Sequence, residues 1–462
     1  MRVLGLISLL CALLLSASAG HGSVRDVAMA AVPMSATLPA GGASKIKHVV
    51  IIFQENRSTD NLFHGLPGAD IANRGLNSQG QMVPLVPISL DSKRTPWDVG
   101  HGHEAFVREY NGGRMDGFDR VGTVCIDKFV PNINIHCPNM TAYGYVPPYE
   151  VQPYFTLARR YTFADRMFQT NQGPSLPAHL YIISGTGIIS PGSKLRFAEN
   201  PLYNFSQGAT EFAPNCGTSS PAKVAVINES GQENQFIPPC IDHPTLMDLL
   251  DAKGVSWKYY DPGPGGLWNG PSAIEHLRMG PDWSKVVVPE TKIFSDIAGG
   301  QLASVSWVIP NSHASDHSLI NTGTGPSWVA SIVNAIGHSR YWDSTAIFVT
   351  WDDWGGWYDH VRPPIYNSYE LGFRVPLIVI SPYAKLGYIS HVQHEFGSIL
   401  RFTEEVFHLG SLHYTDVRAD DLRDCFNFSR APAPFETVPA EQGAAYFINQ
   451  APSGVVDSDF DG

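Results

Sequence analysis

Thr345-Ala346-Ile347-Phe348-Val349-Thr350-Trp351-Asp352-Asp353-Trp354-Gly355-Gly356 is an apolar, β-branched run that stops at two adjacent carboxylates and two glycines. Such a run reads as a strand buried on both faces, so the acids just past its end lie at the mouth of a parallel sheet. Open α/β sheets bind ligands there. Neighbouring carboxylates repel, and keeping both ionised beside an apolar sheet is costly unless a cation or strong donors compensate. A divalent metal ion is the simplest compensation. An isolated Asp-Asp pair after a strand is more often a solvated turn, and it is the rest of the chain that changes those odds.

His48 to Phe53 is a second β-branched run, and it too ends in polar residues, Gln54-Glu55-Asn56-Arg57-Ser58. Ser304 to Ile309 before Pro310, and Val375 to Ile380 before Ser381-Pro382, are also of strand type. Trp328 to Ile336 and Phe396 to His408 have helical period. The alternation predicts an α/β fold with a mostly parallel central sheet and loop-rich insertions. The stretch from Leu195 to Gln235, rich in Asn, Ser, Gly and Pro, reads as an insertion that shapes the site.

At 462 residues the chain exceeds the usual size of one core, yet large α/β enzymes often stay one elaborated domain. Arg2, the apolar stretch Val3 to Leu15 and Ser16-Ala17-Ser18-Ala19 fit a signal peptide over residues 1–19. Residues 20–44 read as a flexible leader, 45–430 as the folded domain and 431–462 as a loosely packed tail. A secreted or periplasmic protein is expected. The apolar run is short for a membrane span, so no stable membrane insertion is expected. A net charge of -12 argues against non-specific nucleic-acid binding and against adhesion to anionic membranes.

Beyond Cys11 in the expected signal peptide, the cysteines are Cys125, Cys137, Cys216, Cys240 and Cys425. Proximity pairs Cys125 with Cys137 and Cys216 with Cys240, leaving Cys425 free or buried. None has the close spacing of a zinc thiolate cluster.

Several segments concentrate site-forming residue types beside glycines or strand ends. Glu55 can ligate a hard cation, and Asn56 can offer its amide to a metal or a phosphoryl oxygen; Ser58 or Asp60 there can equally be a helix cap. His101 and His103 lie between glycines, a pattern also common in surface turns. Gly173-Pro174-Ser175-Leu176-Pro177 holds a hydroxyl on a stiff turn, which suits a nucleophile as well as an ordinary cap. Asp316-His317 can orient an imidazole or form a ligand pair. Asp352-Asp353 continues into Trp357-Tyr358-Asp359-His360.

IKHVVIIFQENRSTDNLFHG (46–65), DVGHGHEAFVREYNGGRMDGFD (98–119), NQGPSLPAHLYIISGT (171–186), DHSLINTGTGPSWVASIVNAI (316–336) and YWDSTAIFVTWDDWGGWYDHVRPP (341–364) resemble the motifs of the bacterial phosphoesterase family. That family joins phosphatidylcholine-preferring phospholipases C with secreted acid phosphatases. The resemblance spans roughly Lys45 to Arg430 and implies an alkaline phosphatase-like fold, a central sheet flanked by helices. It further implies a divalent metal ion held by Glu55, Asn56, Ser175, Asp352 and Asp353. Ser175 would be the nucleophile, with Asn56 and the histidines His101, His317 and His360 as the other catalytic residues. His103 and His179 fall where the family does not regularly show histidine and stay outside the expected site.

A serine hydroxyl is almost never ionised at neutral pH, so Ser175 needs a Lewis acid to attack phosphorus and form a phosphoserine. His317 or His101 would protonate the leaving group. Phospholipase C members resemble Gly-Pro-Thr followed by Pro-Asn-Arg at the nucleophile, which this chain lacks, and they carry C-terminal β-domains for which the residues after Arg430 are too few. Both departures favour a phosphomonoesterase acting on a phosphate ester substrate, with phospholipase C second. A sulfatase is disfavoured because Ser175 lacks the Cys/Ser-x-Pro-x-Arg context. A silent metal- or phosphate-binding module is the non-enzyme alternative, and no position of the expected set is replaced in the way it would require.

Overall fold

The computed structural model describes residues 45–125, 137–138, 140–201, 216–217, 222–263 and 266–451. The expected signal peptide and leader, with Cys11, lie outside the described residues, as does the end of the tail. At the centre is an eight-stranded sheet of β1 (His48–Gln54), β2 (Thr162–Ala164), β3 (Trp257–Tyr260), β4 (Val286–Val287), β5 (Val305–Val308), β6 (Thr345–Trp351), β7 (Leu377–Ile380) and β8 (Tyr388–Ser390). Its spatial order is β4-β3-β5-β1-β6-β7-β2-β8. All neighbouring pairs are parallel except β6 with β7 and β7 with β2.

The two long apolar runs lie side by side in the middle, and every residue of β6 is buried, as a strand covered on both faces requires. Phe348 and Trp351 are three apart on β6 and so point to opposite faces. Phe348 meets Phe402 of α4 (Phe396–Phe407), while Trp351 meets Tyr154 of α1 (Gln152–Arg160), so helices cover both sides. Between these in sequence come α2 (Ser175–Ser184), packed on α4, and α3 (Gly325–Gly337), packed on α1. Among the described residues no helix is long and apolar enough to cross a membrane.

β7 differs in direction from a simple βαβ series, because the chain returns from the end of β6 through a long loop instead of a crossover helix. Part of the Leu195 to Gln235 insertion forms a small antiparallel sheet of Arg196–Phe197, Val224–Ile227 and Gln235–Ile237. Residues 431–451 are not the loose tail expected. Asn334 of α3 exchanges hydrogen bonds with the Val438 backbone (2.9 and 2.8 Å), and Phe447 is buried against Trp328. A few apolar side chains clamp this segment, too irregularly spaced to give a periodic signal. Both expected cysteine pairs are joined as disulfides, and Cys425 is free and buried.

Candidate active site

Parallel pairing sets His48 opposite Thr345 and, six residues on, Gln54 opposite Trp351. The next residues on each chain therefore emerge together, which is why Glu55-Asn56 meets Asp352-Asp353. Asp352 N–H donates to Gln54 O (2.9 Å), and Asn56 N–H donates to Asp352 Oδ1 (2.8 Å). β5 runs parallel to β1 with Ile52 opposite Val308, so the loop carrying Asp316-His317 leaves from the same edge.

Ser175 begins α2, and Oγ lies 3.4 Å from Glu55 Oε2 and 3.3 Å from Asp353 Oδ2. The turn before it needs glycine: a Cβ on Gly173 would come within 2.4 Å of Ala198 O. Leu176 N–H is held by Asn200 Oδ1 (2.9 Å), from the insertion. One turn further along α2, His179 Nε2 lies 3.0 Å from Glu55 Oε1 and orients that carboxylate. The sequence expectation left His179 out, although its i+4 spacing from Ser175 on a helix carried the signal.

Asn56 adopts a left-handed backbone (φ 56°), a strained conformation that its surroundings enforce. Its Nδ2 lies 2.9 Å from His101 Nε2 and 3.3 Å from Asp353 Oδ2, and its buried Oδ1 has no hydrogen-bond partner among the described residues. His101 Nδ1 is 2.7 Å from Val99 O, and His317 Nδ1 is 2.6 Å from Ser318 O. A carbonyl only accepts, so Nδ1 carries the proton in both rings and Nε2 is the working atom. The two rings meet edge to face at 5.9 Å, with Asp98 completing the group.

Asp316 is an anchor: Tyr154 Oη and Trp351 Nε1 donate to Oδ2 (2.8 and 2.9 Å), and Arg57 donates to its carbonyl (2.9 Å). Burial pushes its carboxyl up to about 6 despite Arg57. Glu109, which nothing in the sequence marked, is buried beside Trp354, whose Nε1 donates to it (2.6 Å). Burial pushes its carboxyl well above the usual range.

Gly355 and Gly356 close the loop with positive φ (64° and 70°), and Gly355 N–H caps Asp353 Oδ1 (2.7 Å). A Cβ on Gly355 would fall 2.3 Å from Asn56 O. Gly355→Ala is therefore expected to lower stability by at least about 1–2 kcal/mol from backbone strain alone. It should also cut turnover by displacing Asn56; thermal melts and initial rates check both.

His360 sits in a different group. Its Nδ1 lies 2.7 Å from Asp60 Oδ2 and its Nε2 3.0 Å from Asp70 Oδ1, while buried Arg374 bridges Asp359 and Asp60. Both ring nitrogens thus face carboxylates outside the Ser175 group. Burial lowers its pKa, but the Asp60 hydrogen bond and the charges of Asp60 and Asp359 outweigh that and raise it to about 9. A histidine raised above its unfolded value of about 6.5 stabilises fully below that value and loses the contribution as pH rises through about 9. The melting temperature should fall between pH 7 and about 9.5, and fall less in His360→Gln; equal slopes would contradict this.

Glu55, Asp352 and Asp353 are all fully buried, and with the Asn56 amide oxygen and Ser175 Oγ they make a set of hard oxygen donors. Glu55, His179 and Asp352 each present a ligand atom within 4.8 Å of the others. This set fits a divalent cation.

A family model described as the phosphoesterase family matches residues 46–410, the span that contains every residue of this group. The chain belongs to the phosphoesterase family. Within it, the chain is similar to the hemolytic phospholipase C of Pseudomonas aeruginosa, 23% identical over 474 residues, covering 87% of this chain and 58% of that protein. It is also similar to phospholipase C B of Mycobacterium tuberculosis, 23% identical over 459 residues, covering 85% of this chain and 80% of the relative. The chain thus spans less than two thirds of the Pseudomonas phosphoesterase. A solved protein in the alkaline phosphatase superfamily from Vibrio parahaemolyticus, 10% identical, covers 84% of this chain and 72% of that one with a TM-score of 0.34.

Proposed function

We propose that this chain hydrolyses phosphoric esters through Ser175 and a phosphoserine intermediate, with phosphate monoesters as its preferred substrates, as in a secreted acid phosphatase. The supporting observation is the buried Ser175 Oγ, at the start of α2, within 3.4 Å of both Glu55 and Asp353. Glu55, Asn56, Ser175, Asp352 and Asp353 would hold a divalent cation, with Glu55 positioned by His179. Bound there, it would neutralise the carboxylates and favour the ionised hydroxyl.

Ser175 Oγ attacks phosphorus in line with the leaving oxygen, and the bond to that oxygen breaks as the new P–O bond forms. The N-terminus of α2 favours negative charge on Oγ. The Asn56 Nδ2 amide, 2.9 Å from His101 Nε2, would donate to an equatorial oxygen. His317 or His101 Nε2, able to accept because Nδ1 holds the ring proton, takes the Ser175 proton and passes it to the leaving alkoxide; the same ring then takes a proton from the water that attacks phosphoserine and returns it to Ser175 Oγ. Phosphate departs and the Ser175 hydroxyl is restored. The two disulfides fit an oxidising compartment, which agrees with export.

The Gly173-Pro174-Ser175-Leu176-Pro177 turn supports monoesters. The names of the relatives support a second reading, a phospholipase C acting on phosphatidylcholine-type diesters. Initial rates on p-nitrophenyl phosphate and on phosphatidylcholine, with and without chelator, separate them. Faster chelator-sensitive release from the monoester is expected; faster diester cleavage selects the second reading, and turnover of neither overturns both.

A further inference from the structure

A second cluster shares no residue with the Ser175 group. It lies where β8 and the loop after it meet the turn Arg423–Cys425. His394 and Cys425 are fully buried there. Asp424 Oδ1 is 3.6 Å from His394 Nε2 and 3.5 Å from Cys425 Sγ. On the other side of the ring, Asp420 Oδ1 is 2.8 Å from His394 Nδ1. Ser390 Oγ lies 3.2 Å from His394 Nε2 and hydrogen-bonds Asp424 Oδ2.

We propose that His394 Nε2, an Asp424 carboxylate oxygen and Cys425 Sγ bind a zinc-class divalent cation, with Ser390 Oγ or a water as fourth ligand. The three ligand atoms lie within 4.8 Å of one another. Separations of 3.5 and 3.6 Å match neighbouring ligands of a tetrahedral ion with bonds of about 2.0–2.3 Å. Asp420 at Nδ1 is the carboxylate that metal-bound imidazoles use to fix ring orientation. Among the described residues, His394 is the only ion-pair partner of Asp420 and of Asp424. A thiol, an imidazole and a carboxylate together suit zinc better than the hard ions that the all-oxygen set at Ser175 suits.

The site would act as a staple. His394 pairs with Met167, and α4 starts two residues later at Phe396, so a cation here ties the start of α4 to the turn at Cys425. Cobalt(II) added to the metal-stripped full-length protein is the test. The proposal predicts a thiolate-to-cobalt charge-transfer band whose final intensity corresponds to one thiolate-bound ion per chain. That band should vanish in Cys425→Ser and persist in Asp352→Asn, which separates this ion from the one at Ser175. In the wild-type protein, zinc should slow alkylation of Cys425, mapped by peptide mass spectrometry, at least tenfold. This last arm needs no variant to fold. Absence of the thiolate band together with zinc-independent alkylation would overturn the proposal.

Discussion

Ser175→Ala is expected to lower turnover of a phosphate monoester by at least about 10,000-fold, the scale on which nucleophile removal acts. The fold should survive. Ser175 makes no capping bond with its side chain, alanine suits a helix, and Leu176 N–H keeps its acceptor on Asn200. The melting temperature should therefore stay near that of the wild type while the rate collapses. Near-wild-type turnover in the folded variant would remove Ser175 from the chemistry.

Asp353→Asn carries the second large effect. The asparagine oxygen can still accept from Gly355 N–H, as Asp353 Oδ1 does at 2.7 Å, so the loop keeps its shape. What disappears is a charge facing Ser175 Oγ and Asn56. Cation content should fall, and turnover should drop by more than the roughly 100-fold that loss of an outer partner costs a metal site. Chelated wild type should lose activity too and regain it with added divalent ion. Stability gives an independent sign: with the cation removed, buried carboxylates repel, so the variant should melt higher than chelated wild type. Metal analysis, rates and melts on the same samples check all three.

Both effects trace back to two strands that the sequence displays openly. β1 and β6 are long, continuous and β-branched, and no helical period competes with them. Once they are parallel and in register, Glu55-Asn56 and Asp352-Asp353 have to meet. The direction of β7 was not legible, because an apolar run looks alike in either orientation. β2 and β4, at three and two residues, are too short to leave a pattern. Among the expected site residues, Asn56, Ser175 and His101 lie together around Asp353. His360 does not join them, because Asp60, 300 positions earlier, occupies its ring, a contact that no local spacing encodes. Asn200 and Glu109 were invisible for the same reason: each acts through a distant partner.

The most direct test of the account is acid quench of the enzyme during steady turnover, followed by digestion and location of the phosphate by mass spectrometry. The account predicts phosphate on Ser175, appearing within one turnover and absent when chelator is present. Phosphate on a histidine, or full turnover with no phosphorylated protein at any quench time, would contradict it.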